Sequence, residues 1–292
     1  MRFTDLLILL ILAAIWGASF LFMRISAPEF GPIPLIAFRM SIAGLVLTPV
    51  FFKKEARLIA RRYWLQLLIS GIFGSGLSFI LISYATLTLT AGFTSLMNSS
   101  VPIFSAILTA SLLGERLRRP QIIGLILGIL GTVILVWGKL DFRQNGHGWP
   151  IIACLTSCFF YGFGATWAKS KLHAIPPLIA SAGSLSGAAL ILIPIALTSL
   201  PETNPSLLSW LSALALALIC TALAFILFFR LIRHSSATVA TSVTFLIPFF
   251  AIFWGGLFLD EKITPNMIAG LIVSLLGTAL ITEILGKPKL QI

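Results

Sequence analysis

Acidic residues are scarce in this chain. Nine Asp and Glu stand against 20 Lys and Arg in 292 residues, and charge of either sign makes up only 10% of the sequence. Ordinary soluble domains carry roughly a quarter charged residues. No Asp or Glu falls in the middle of an apolar run, which excludes a mid-membrane carboxylate proton relay of the usual kind. Cysteine is rarer still, with three residues. Cys154, Cys158 and Cys220 all sit inside apolar runs, so no disulfide framework is implied. Cys154 and Cys158 are four apart on one helix face. A thiol pair for metal or redox work competes there with plain buried packing, and packing is the better reading. His147, His173 and His234 are scattered through loops, which leaves no metal site. The sequence has no Ser/His/Asp set and no phosphate-binding glycine loop. Hydrolysis of lipid and nucleotide-driven work by this chain are thereby excluded, and no cofactor is called for.

What is present is apolar. Hydrophobic residues are 58% of the chain and the mean hydropathy is +1.05. No soluble core hides that much apolar surface, so the expected class is an all-α integral membrane protein. A helix needs about 20 apolar residues to cross the hydrocarbon. Ten segments satisfy this, near 5–24, 33–52, 63–84, 90–113, 120–137, 149–169, 176–198, 209–232, 236–259 and 266–285. Loop chemistry separates them, as at Pro28-Glu29-Phe30-Gly31-Pro32 and Pro201-Glu202-Thr203-Asn204-Pro205. The first segment lacks a strongly basic start and a small-x-small cleavage site, so it reads as part of the fold and not as a signal peptide. The net charge of +11 would point to nucleic acid in a soluble protein. Here the cations lie in short loops, where they set orientation, so no nucleic-acid partner is expected. With the N-terminus in the cytoplasm, fifteen Lys and Arg fall on the inner side. Arg24, Lys139, Arg143 and Lys262 fall outside, and Arg39 lies within a span. That bias places both termini inside a plasma (inner) membrane.

The second half repeats the first. Pro102 recurs 146 residues later as Pro248, Glu115-Arg116 as Glu261-Lys262, Gly124-Leu125-Ile126 as Gly270-Leu271-Ile272, and Gly131-Thr132 as Gly277-Thr278. Trp16-Gly17 has a counterpart in Tyr161-Gly162 at nearly the same offset. Two units follow, residues 5–137 and 149–283, each with five spans. Five is odd, so the copies insert in opposite directions. Inverted repeats of this kind are the usual architecture of alternating access.

These residues also carry a resemblance. Trp16-Gly17-Ala18-Ser19-Phe20, Phe38-Arg39, the stretch from Tyr84 and Ala85 through Ala91 to Pro102, and Leu113-Gly114-Glu115-Arg116 with Gly124 and Gly131 are similar to the EamA-type family of the drug/metabolite transporter superfamily. Leu259-Asp260-Glu261-Lys262 with Gly270 and Gly277 is the second copy. Each motif alone is weak, but two copies at matched spacing cover nearly the whole chain. The resemblance implies ten helices in two inverted five-helix repeats around a central cavity, and a secondary transporter that exports small metabolites such as amino acids or their derivatives. Sugar, nucleobase or drug efflux is the alternative on the same fold. A membrane receptor or assembly partner is the alternative outside transport.

The candidate site residues follow from position. Pro102 and Pro248, near mid-span, each remove a backbone hydrogen bond and mark a bend or hinge. Asn98 and Ser99 lie about a turn from Pro102, and Thr241 and Thr244 one to two turns from Pro248. These groups, with Trp16, Ser19, Tyr84 and Tyr161, are the expected substrate-binding set. Bundle packing competes for the aromatic members. Arg39 costs about 2.5–3.5 kcal/mol on insertion scales and needs a partner. It is either a functional group, a counter-charge for a substrate carboxylate or a gate, or a structural one, bonded to backbone carbonyls or snorkelling outward. Its presence across a family with diverse substrates favours structure. Glu115 and Glu261 sit at span ends beside Arg116 and Lys262. They read as local helix-end pairs, with a coupling role as the alternative. The remaining partners are a small-molecule substrate and membrane lipid. Small residues Gly124, Gly128, Gly131, Gly270, Ser274 and Gly277 suit either internal packing or a dimer seam, so monomer and weak homodimer both stand.

Overall fold

A computed structural model describes residues 3–143, 146–234 and 242–281. Eleven helices are used below. They are α1 (Phe3–Phe30), α2 (Pro32–Leu47), α3 (Lys54–Arg62), α4 (Trp64–Ala85), α5 (Ala91–Leu113), α6 (Arg119–Val136), α7 (Gly148–Lys171), α8 (Pro177–Leu197), α9 (Leu207–Ile232), α10 (Val243–Leu259) and α11 (Pro265–Ile281). Among the described residues there is no strand. Eight of these helices, counting α2 with its 3₁₀ extension to Phe52, are long and apolar enough to cross a membrane. The apolar helices α10 and α11 have 17 residues each and border residues outside the description.

Two elements differ from the expected spans. The loop foreseen at residues 28–32 contracts to a single residue. Helix α1 runs through Pro28 to Phe30, and the chain turns at Gly31, whose φ of 77° suits a residue without a Cβ. The basic stretch after Lys53 forms the short amphipathic helix α3, which buries only Ala56. Its cations occupy the polar face, as in helices that lie along a membrane surface.

The packing repeats along with the sequence. Helix α1 packs on α9 and α10, and its counterpart α7 packs on α4 and α5. The second helices of the two halves, α2 and α8, pack on each other, as do the fifth, α6 and α11. The last pair approaches closely because its seam is made of small residues. A Cβ placed at Gly124 would lie 2.6 Å from the Gly277 carbonyl oxygen, and one at Gly277 would lie 2.5 Å from the Gly128 nitrogen. The small-residue stripe is therefore an internal seam. Helices α4 and α9 each contain a π-helical stretch, at Ile72–Leu77 and Leu218–Leu223. These too are 146 residues apart. Asp260 and Gly114, again 146 apart, both take the left-handed conformation that ends a helix.

Candidate functional site

A cavity of about 150 Å³ lies where the two halves meet. Its walls come in equivalent pairs: Trp16 with Tyr161, Phe79 with Phe225, Asn98 with Thr244, Val101 with Ile247, and Pro102 with Pro248. Ser19, Ser95, Ser99, Cys220 and Thr278 add polar groups, and among the described residues Arg39 is the one charged side chain in the lining.

Local structure explains how these side chains are presented. The Trp16-Gly17 and Tyr161-Gly162 pairs each combine an aromatic ring with a point of close approach. A Cβ at Gly17 would meet Phe250 Cβ at 2.6 Å, and one at Gly162 would meet the Ser105 nitrogen at 2.8 Å. Each glycine thus lets the first helix of one half lie against the proline-bearing helix of the other. Helix α5 is interrupted at Ser99–Ser100, just before Pro102. The Ser99 carbonyl accepts from Thr278 Oγ1 at 3.4 Å, so a group freed by the interruption is met from α11. Helix α10 carries Pro248 without a recorded break.

The π-helical stretch of α9 presents Thr221. Its hydroxyl donates to the Leu216 carbonyl at 2.8 Å and accepts from Arg39 Nε at 2.8 Å. The Arg39 guanidinium also lies 4.0 Å from the Phe79 ring centroid. Among the described residues no backbone carbonyl and no carboxylate is bonded to it, and it is 4% exposed. Neither the carbonyl bonds nor the outward reach of a purely structural arginine is seen.

The expected binding residues Trp16, Ser19, Asn98, Ser99, Tyr161 and Thr244 all line the cavity, as do Pro102 and Pro248, the residues expected to act as hinges. Tyr84 does not; its side chain is 41% exposed. Thr241 lies outside the described residues. Sequence reasoning passed over Phe79, Ser95, Phe225 and Thr221. The 146-residue offset that joins Phe79 to Phe225 could have found both.

Glu115 and Glu261 mark opposite ends of the bundle and differ in environment. A second cavity of about 220 Å³ shares Pro102 with the first and passes Ser105 and Thr109 to Glu115. At this open end Glu115 pairs with Lys169 of α7 at 2.6 Å, both half-exposed, a pair worth about 0–1 kcal/mol. At the other end Glu261 caps α5. Its carboxylate accepts from the backbone N–H of Ala91 at 2.7 Å and of Gly92 at 3.2 Å. Arg24 donates to the Thr86 carbonyl nearby. Lys139 Nζ lies 4.2 Å from the Phe93 ring, and its partial burial lowers its pKa below the ordinary lysine value. This end is closed. Among the described residues no group of three metal-ligating side chains occurs.

Known proteins give this architecture a context. The sequence model of the EamA-like transporter family matches twice, over residues 3–137 and 148–283. The chain is 23% identical over 281 residues to the uncharacterized transporter YoaV of Bacillus subtilis (strain 168), covering 94% of this chain and 95% of that protein. It is 24% identical over 262 residues to the uncharacterized inner membrane transporter YedA of Escherichia coli (strain K12), covering 87% and 84%. A solved crystal structure matches 98% of this chain and all of its own, with a TM-score of 0.66 at 18% identity, a likeness of fold. With an apolar helical bundle, a central cavity and two matches that together span almost the full length, the chain belongs to the EamA-like transporter family.

Proposed function

We propose that the chain is a secondary transporter that exports small metabolites, of the size of amino acids and their derivatives, by alternating access. In this reading ten spans form two inverted five-helix repeats, at residues 5–137 and 149–283, with both termini in the cytoplasm. The observation that carries it is the paired wall of the cavity. Five pairs of equivalent positions from the two halves face one space, as expected when a site lies on a two-fold axis between repeats. The exchange of helix contacts between halves supports the same axis. Five spans per half turn that axis into the membrane plane. The open Glu115 end then faces the cytoplasm, where the cations concentrate, and the closed Glu261 end faces outward.

Energy coupling follows from what lines the path. No acidic side chain among the described residues lines the central cavity, so flux is expected to persist without a pH gradient. The test is reconstitution in liposomes with a metabolite panel, measured with and without a protonophore. Protein-dependent flux that survives collapse of the gradient is the expected result. Absence of flux for every solute would overturn the transport reading, and loss of all concentrative flux on collapse would overturn uncoupled exchange.

A further inference from the structure

The cavity contains one cation whose donors the protein does not fill. A guanidinium offers five N–H groups. Arg39 gives one strong hydrogen bond, to Thr221, and one weak contact, to Met23 Sδ at 3.9 Å. No acidic residue among those described pairs with it, and Arg39 lines the cavity while being 4% exposed. Thr221 and the Phe79 ring hold the planar group in one orientation. Two acceptors in the same lining also lack a protein partner: Asn98 Oδ1 and Ser95 Oγ are buried and unbonded. A buried charge at membrane depth is costly unless it is paired, and an oriented guanidinium is the side chain best shaped to take a carboxylate in two parallel hydrogen bonds.

We infer that Arg39 anchors the carboxylate of a small substrate that carries a single carboxylate on a largely apolar body, and that Asn98 accepts a hydrogen bond from an N–H or O–H of the same molecule. The single cation suits a single negative charge and leaves a phosphate dianion half-neutralised. The aromatic walls suit an apolar body. A cavity of about 150 Å³ matches the volume that elsewhere takes one benzene ring, which sets the body at the size of leucine or benzoate. This inference rests on the transporter reading for its setting, and its own content is the binding preference.

The experiment separates the two. Thermal stabilisation of the purified, detergent-solubilised protein is measured with L-leucine, L-phenylalanine and benzoate. Leucinamide, phenylalaninamide and benzamide, in which the carboxylate alone is replaced, serve as the comparison. The expected result is at least tenfold weaker binding of each amide. Arg39→Gln should bind acid and amide alike, while Arg39→Lys should keep a reduced preference for the acid. The amide comparison needs no variant, so it decides even where Arg39→Gln fails to fold. Equal binding of acids and amides by the unaltered protein, or binding of none of the six, overturns the carboxylate anchor. Liposome flux of a neutral or cationic solute with no acid preference would then leave transport standing. Acid-selective binding without flux of any solute would instead support the anchor and sink the transport reading.

Discussion

Glu115 and Glu261 occupy the same place in two copies of one motif, yet one reaches a neighbouring lysine and the other caps a helix. Part of the reason is a residue six positions earlier. A Cβ on Gly255 would clash with the Glu261 carboxylate, and the equivalent position in the first half is Thr109. Only the second half has room for its glutamate to fold back. Hydrogen bonds to a charged group contribute about 1.5–3 kcal/mol, and a negative charge at a helix N-terminus is further favoured by the helix dipole. Glu261→Gln should therefore weaken closure of that end by about 1–2 kcal/mol, a shift of roughly 5- to 30-fold in the open population. Gly255→Ala should act in the same direction, because the displaced atom is the mobile tip of a side chain and the fold can accommodate it. Protease or thiol access at that end checks both; a variant protein as tightly closed as the original would remove the latch. Sequence reasoning placed both glutamates at span ends and foresaw local helix-end pairs. It could not see that the partner of Glu261 is backbone N–H on α5, 169–170 residues away, since a cap across helices leaves no local spacing to read.

At the scale of helices, the seam between α6 and α11 is the most exacting contact. Small residues meet across it with backbone against backbone, and lipid supplies no hydrophobic drive to hold such a pair together. Gly277→Val would press two extra methyls and a Cβ into the Gly124 carbonyl and the Gly128 nitrogen. Overpacking of this kind costs about 1–3 kcal/mol, so the unfolding midpoint in detergent should fall clearly. The same substitution at Leu276, which is 52% exposed to the surroundings, should leave it nearly unchanged. Equal effects at the two positions would return the stripe to the status of an outward face. Hydropathy made the spans legible, because burial in lipid demands long apolar runs. It did not make their rotation legible: a helix apolar all round has no strong moment to say which face turns inward. Tyr84 was expected among the binding residues and does not line the cavity for that reason, whereas Trp16 and Tyr161, related by the repeat, do. The π-helical stretches at Ile72–Leu77 and Leu218–Leu223 were not foreseen either. Such a widening depends on packing against neighbours and has no compositional signature, although it is what carries Thr221 to Arg39.

For the whole molecule the question is whether the two ends of the path open in turn. The first cavity and the second, which reaches Glu115, have Pro102 in common in their linings. At the opposite end lie Glu261, which caps α5, and the buried cluster that includes Ala85, Leu89, Phe93, Leu96 and Met97. Two single-cysteine reporters distinguish a transporter from a pore. With Cys154, Cys158 and Cys220 replaced by Ala, Thr109→Cys reports the open end and Leu89→Cys the closed one. A membrane-impermeant maleimide should label Thr109→Cys readily, and only from the face that carries most of the cations. Leu89→Cys should resist labelling until Glu261→Gln is added. Labelling at Leu89→Cys should then rise from the opposite face while labelling at Thr109→Cys falls. The reciprocity is the essential point, since one chain cannot hold both ends open if the repeats exchange conformations around a common axis. Simultaneous labelling of both reporters in one state would indicate a continuous pore. A rise at Leu89→Cys with no fall at Thr109→Cys would mean that the ends move independently, and the two-fold pairing of the cavity wall would then record the chain's ancestry without constraining its motion.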